Sequence, residues 1–387
     1  MSAQALGRTG IRTIPIVVAA LAIVFTTALP ALALVPDRPH DTTTFDGRVR
    51  TIAYAGSTVY VGGTFSVARD ASGAATRNNV AAIDAYTGQL LPWNPNANGA
   101  VWSIAQVGSS VYLGGNFTRV DGVYRRNFAK VNADQSAALD IDFSHQVSGR
   151  LQSMVELGGS LYIGGDFSAV DGAPRNRLAA IDLGNDSLTV WAPDANGTVM
   201  SLQAAPGRVY ASGRFTRMND NSGSSWFAAL DPTDGEIDWS FNPSINYPVL
   251  DVSVTGNAIY AAADGPGGHV RAFTLGGGSM WDLTADGGVQ ALTVLDDSIY
   301  FGGHFVEVCN SARTGGGGVC RDGGVLRPKL AAADLNGNLI DGWAPPPPNT
   351  WYGIGALDAS SVTGTVAAGG TFTRLGGSSR PYFTQFG

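Results

Sequence analysis

A Tyr-x-Gly-Gly-x-Phe segment recurs along this chain at residues 60–65, 112–117, 162–167 and 300–305. Residues 210–215 vary it as Tyr-Ala-Ser-Gly-Arg-Phe, and residues 367–372 keep the glycines and lose the tyrosine. A degenerate seventh copy occupies residues 260–265, identified by its spacing of about fifty residues from the copy before it. Around each copy the order is constant. An apolar-small alternation such as Val101-Trp102-Ser103-Ile104-Ala105 is followed by a Gly-Ser turn and then the motif. After a loop come an apolar run, such as Leu178-Ala179-Ala180-Ile181-Asp182, and a segment ending in Trp or Phe. Four short strands at this period, with no helical pattern between them, predict an all-β, seven-bladed β-propeller of four-stranded blades.

The motif strand carries bulk on both faces, with Val59, Val61 and Phe65 on one side and Tyr60 on the other. That suits a strand sandwiched between neighbouring blades. The paired glycines are expected to admit a neighbouring blade's aromatic. The seventh repeat stops at its third strand, whereas residues 41–45 precede the first repeat as residues 139–143 precede the third. Pairing residues 41–45 with the last blade would close the ring and remove two exposed edges. The expected organisation is therefore a signal peptide at 1–33, then one domain at 34–387 comprising the closing strand and seven repeats over 46–387.

The export signal rests on Arg8 and Arg12 ahead of an apolar stretch and an Ala31-Leu32-Ala33 cleavage site. An uncleaved membrane anchor is the competing reading of that stretch. Cleavage yields a secreted chain with no membrane span, expected to be a monomer. Cys309 and Cys320 are the two cysteines, and in an exported protein a nearby pair reads as one disulfide. A pair of metal-binding thiols is the weaker alternative, because His304 is the one ligand-type residue close by. A net charge of −7 without any basic run argues against nucleic acid as a partner.

The Gly-Gly-x-Phe strands, the Leu-Ala-Ala-Ile-Asp run and the Gly-Glu-Ile-Asp-Trp-Ser-Phe element at residues 235–241 resemble the delta-60 repeat propellers, and more distantly Kelch-type ones. The resemblance covers residues 41–387 and implies an exported bacterial propeller. It implies no catalytic site and no cofactor.

In a repeat protein, positions constant in every copy serve the scaffold, and blade-unique positions call for a local explanation. Arg77, Arg125, Arg175, Arg327 and Arg380 recur before the third strand and read as structural. The residue between Gly-Gly and Phe varies and is always polar: Thr64, Asn116, Asp166, Arg214, Asp264, His304 and Thr371. These would ring one face, where Asp166, Arg214, Asp264 and His304 could hold a polar ligand or simply bond local backbone. On the innermost strand the small position reads Thr51, Ser103, Ser153, Ser201, Asp251, Ala291 and Gly353. Asp251 would line an axial channel, with its pKa raised by desolvation or with water as its contact. The connections between blades carry Asn94, Asn96, Asp194 and Asn196 beside packing tryptophans. No nucleophile elbow or metal-ligand spacing is present in the sequence. The expected role is an exported, non-enzymatic binding or scaffold module for a carbohydrate or protein. A hydrolase or lyase using a pair drawn from Asp166, Asp251 and Asp264 is the alternative.

Overall fold

The recurring motif forms the second strand of a hairpin in every repeat of the computed structural model, which describes residues 1–2 and 34–387. The expected export signal and cleavage site lie outside the described residues. The inner strands are Arg48–Ala55, Ala100–Val107, Arg150–Leu157, Val199–Ala205, Val249–Val254, Val289–Leu295 and Ile354–Ser360. Each pairs antiparallel with its motif strand, beginning with Thr58–Thr64 in the first repeat. Glycine sets this turn in five of the repeats, where the backbone passes through positive φ, as at Gly56 with φ 59°, and Asp296 takes that conformation in the sixth. A third strand, such as Val80–Asp84 or Leu178–Asp182, completes the ladder.

The fourth strand is mostly vestigial, which corrects the expectation of four-stranded blades. It is a single bridge in the first, second, fourth and sixth repeats (Ile83 to Leu90, Val131 to Leu139, Leu230 to Ile237, Ala333 to Leu339) and two residues long in the third, Ser187–Leu188. The cause is the aromatic that follows. Trp93, Phe143, Trp191, Phe241 and Trp343 leave the sheet and pack edge-on against the motif tyrosine of the same repeat, at 4.9–5.5 Å between ring centres. Trp93 and Trp191 then donate their indole N–H to the backbone carbonyls of Asn132 and Asp231. The fifth repeat behaves differently. Its outer strand Ser279–Ala285 is fully paired and contains its aromatic, Trp281.

Packing between repeats explains the first glycine of each pair, though the visitor is aliphatic rather than the aromatic expected; a Cβ on the second, as at Gly63, would lie 2.1 Å from the Arg48 carbonyl oxygen of its own hairpin. A Cβ on Gly62 would lie 2.8 Å from the Val101 side chain of the next repeat, one on Gly114 2.4 Å from Leu151, and one on Gly164 2.8 Å from Val199. The contact recurs between the last repeat and the first, where a Cβ on Gly369 would lie 2.4 Å from Val49. The inner strands pack in chain order, each against the next, and Ile354–Ser360 packs against Arg48–Ala55.

The chain's N-terminal part meets its C-terminal strand Phe383–Phe386 earlier than residues 41–45. Pro39 pairs with Phe386 and His40 with Gln385, while Thr44 and Phe45 pair with Arg69 and Ala68 of the first repeat. The offset follows from Phe45, which is buried against Phe65 and Phe383 at 4.3 and 5.9 Å. Phe45 fills the space between the first and last repeats while its backbone pairs with Ala68, so the residues that pair with the last strand precede it.

Candidate functional site

Every inner strand carries a β-bulge at the same place: the register shifts between Val49 and Thr51, Val101 and Ser103, Leu151 and Ser153, Val199 and Ser201, Val249 and Asp251, Val289 and Ala291, and Ile354 and Ala356. A bulge inserts one residue and re-aims its side chain. The inserted residues are Arg50, Trp102, Gln152, Met200, Leu250, Gln290 and Gly355, and all seven line an axial cavity of about 490 Å³. Six of them also line a second cavity of about 250 Å³, whose wall is completed by Arg48, Arg214, Asp264, Gly288 and His304. The bulge ring thus divides a deep channel from a mouth. The register also corrects the small position of the seventh repeat, which is Ala356, paired with Gly369, and not Gly353, which precedes the strand.

The structure gathers three of the expected residues at that mouth. Arg214 lies 3.4 Å from Asp264, and the backbone N–H of Gly288 donates to Nε2 of His304 at 3.2 Å. The Gln290 amide stands 3.3 Å from Nδ1 of the same ring. Asp166 is on the same rim but lines neither cavity, lying 3.9 Å from Arg150 and 3.7 Å from Arg177.

Asp251 lines the deep channel, where its oxygens accept from the backbone N–H of Leu292 and Val252 and from the Ser201 hydroxyl. Burial, reinforced by the nearby charge of Asp358, pushes its carboxyl up to about 7 against those bonds. Asp358 lines the same cavity and accepts from the backbone N–H of Tyr54 and Ala359. Burial lifts it to about 6. Each carboxylate ties its own repeat to the one that follows: Asp251 reaches the strand of Leu292, and Asp358 reaches the strand of Tyr54.

The connection residues divide in the same way. Asn196 accepts from the backbone N–H of Thr216 and Arg217, and Asp46, Asn98, Asp286 and Asn349 do the same for their own repeats. That makes Asn196 part of a repeated loop brace rather than a residue free to bind. Asn96 accepts from Asn78 at 2.6 Å and Asp194 from Asn176 at 3.0 Å, while Asn94 is exposed.

Arg48, Arg50, Trp102, Arg150 and Asp358 were not singled out by the sequence. Arg50 stacks on Trp102 with its guanidinium 3.9 Å from the ring centre, and Arg150 approaches the same indole at 4.7 Å. Burial, with the charges of Arg48 and Arg150, brings Arg50 down to about 10. Strict strand alternation hid Arg50 and Trp102, because the bulge inserts each of them and re-aims its side chain toward the axis. The signal was available: the bulge position reads Arg, Trp, Gln, Met, Leu, Gln, Gly across the repeats, varying as much as the motif's polar position.

Cys309 and Cys320 are disulfide-bonded in the loop of the sixth repeat. Among the described residues no helix is long and apolar enough to cross a membrane.

No known family profile matches the sequence, nor does any curated protein. Among solved structures, the WD40 β-propeller domain of Doa1 aligns with a TM-score of 0.54 at 14% identity, over 90% of this chain and 96% of that one. The computationally designed Ika8 protein aligns with a TM-score of 0.50 at 12% identity, over 89% and 98%. At such identity the likeness concerns the fold alone, and with the all-β sheet order it makes this chain a β-propeller.

Proposed function

We propose that the chain is an exported, seven-bladed propeller of the delta-60 repeat type that acts as a binding module for an extracellular carbohydrate or protein. The blade count is supported by seven inner strands packed in cyclic order and by the Gly369–Val49 contact, which repeats the Gly62–Val101 contact across the seam. Closure by the N-terminal strand is supported by Arg380, which donates to the His40 carbonyl as Arg77 donates to that of Leu91. The disulfide suits an oxidising compartment.

One observation carries the binding reading: two independent sets of blade-unique side chains, the bulge ring and the variable motif position, converge on one mouth. The glycine contacts and loop braces of the scaffold recur from repeat to repeat, whereas these side chains do not. Screening the purified chain on a glycan array and by capture of secreted proteins should yield a partner. Replacing Arg214 and His304 together by Ala should then weaken it about tenfold or more, since hydrogen bonds to charged groups are worth about 1.5–3 kcal/mol each. Unchanged affinity in a folded double variant refutes the assignment of this face.

The hydrolytic reading has one observation in its favour, the raised carboxyls of Asp251 and Asp358 in one cavity. Both are engaged by backbone amides between blades, which favours a tie over an acid–base pair. Turnover of an array ligand that disappears in Asp251→Asn would reverse that judgement.

A further inference from the structure

We propose that the mouth is an anion site and that its ligand is an acidic saccharide, a sugar carrying a carboxylate, sulfate or phosphate group. The inference deepens the binding reading and rests on it. In a chain of net charge −7, three arginines line the mouth, Arg48, Arg50 and Arg214, and a fourth, Arg150, packs on Trp102 of its wall. Asp166 faces Arg150 at 3.9 Å and Asp264 faces Arg214 at 3.4 Å, so two of the four have a counter-charge. Among the described residues Arg48 and Arg50 have no ion-pair or hydrogen-bond partner, and the Nε of each is buried without one..

Unpaired cations crowded in a half-buried cleft are costly, because desolvation and mutual repulsion act together. The lowered pKa of Arg50 has those causes. An anion entering the mouth removes both costs, and the guanidinium fork matches the oxygens of a carboxylate, sulfate or phosphate in pairs. Below the bulge ring the channel lining offers the carboxyls of Asp251 and Asp358 and, Arg50 apart, no cation. The negative group therefore stops at the level of Arg50.

The saccharide half of the inference comes from size and surroundings. A cavity of about 250 Å³ takes one ring or side group, less than the usual pocket for a larger organic ligand, about 300–1,000 Å³. Beside Arg48 the loop Trp351-Tyr352 holds two aromatic side chains out to solvent, 86% and 66% exposed. Such aromatics offer an apolar face with polar edges, the surface on which a sugar ring stacks.

Calorimetric titration of the purified chain with oligogalacturonate, a heparin oligosaccharide, mannose 6-phosphate, a neutral gluco-oligosaccharide and poly-glutamate tests this, each at low and high salt. At least one acidic saccharide should bind tenfold or more tightly than the neutral one, with affinity falling as salt rises. Which of the three binds identifies the acidic group. Arg50→Gln and Arg48→Gln should each weaken it about tenfold, Arg50→Lys should restore part of the loss, and Asp264→Asn should tighten binding a few-fold by releasing Arg214. Melting curves confirm that each variant is folded. No preference for acidic over neutral saccharide overturns the proposal, as does an unchanged affinity in both Gln variants. Poly-glutamate binding more tightly than every saccharide overturns the saccharide assignment. A partner that depends on Arg214 and His304 and not on Arg48 or Arg50 would leave the binding face standing while this inference falls. Dependence on none of the four removes both.

Discussion

Arginines at the outer rim and at the axial mouth share a chemistry and have opposite surroundings. Arg77, Arg125, Arg175 and Arg327 each donate one guanidinium nitrogen to the carbonyl of the residue just before, and the other to carbonyls of the connection to the next repeat, such as Leu91, Asp140 with Ile141, Thr189 and Asp341. Arg48 and Arg50 find no such acceptors among the described residues. The rim series supplies hydrogen bonds that a full fourth strand would make in the first, second, third and sixth repeats, whereas the fourth repeat, whose fourth strand is also a single bridge, carries Ser224 at that position. In the fifth repeat the outer strand is complete and the series is missing, its place taken by the direct turn from Gly265 to Gly267. One residue type thus serves as a brace where carbonyls surround it and as an unspent charge where they do not.

The largest effect should come from removing the rim contacts at the seam. Deleting residues 34–40 strips Phe383–Phe386 of its partner strand and Arg380 of the His40 carbonyl. It should lower the melting temperature by on the order of 10 °C and promote aggregation through the bared edge. A melting curve and elution volume matching the intact chain would show that the seam contributes little.

A smaller loss is expected within a single brace. Arg125→Ala removes bonds to Tyr124, Asp140 and Ile141 from a nearly buried side chain and should cost about 2–3 kcal/mol in urea unfolding. Arg50→Gln, by contrast, should change stability by less than about 0.5 kcal/mol, because repulsion from Arg48 and Arg150 is relieved as stacking on Trp102 is lost. Equal losses in the two variants would erase the distinction between brace and unspent charge.

A further effect is a pH slope. Folding raises the carboxyl of Asp251 from its ordinary value near 3.8 to about 7, so the folded chain holds a proton that the unfolded chain releases. Its contribution is full below about pH 4 and fades as pH rises through 7. Asp251→Asn should therefore flatten the decline in stability between pH 4 and pH 7, by on the order of 1 kcal/mol after screening by solvent in the channel. Parallel pH profiles for the two proteins would mean that the carboxyl is ionised throughout.

How far the sequence could be read depends on whether a feature repeats. The glycine pairs, the rim arginines and the terminal aromatics announce themselves by recurrence, and the structure gives each a packing or hydrogen-bonding cause. The fourth strand was overestimated because an apolar run ending in Trp has the composition of a strand, although Trp93 and Trp191 turn away from the ladder. The bulges left one trace in the sequence, the variable residue at the inserted position, and nothing in it marks an irregular strand. Thr51 and Ala356 look like ordinary members of an alternating strand, and only pairing with Gly62 and Gly369 reveals the inserted Arg50 and Gly355 between them and the core. Arg214, Asp264 and His304 were legible because the motif strand is unbulged: Asp264 lies within it, and Arg214 and His304 follow its last residue directly.

The pairing of Pro39 with Phe386 carries a consequence for how the chain comes to be folded. Ladders inside a repeat link neighbours in sequence and can form as soon as their residues are available, whereas this one joins strands separated by nearly the whole polypeptide. Contacts of such long range close slowly, and they do so after the local hairpins have formed. A growing chain would hold its first strand unpaired until its last has emerged. In the finished molecule the same junction should be the place where amide hydrogens exchange first, a door in a wall otherwise built course by course.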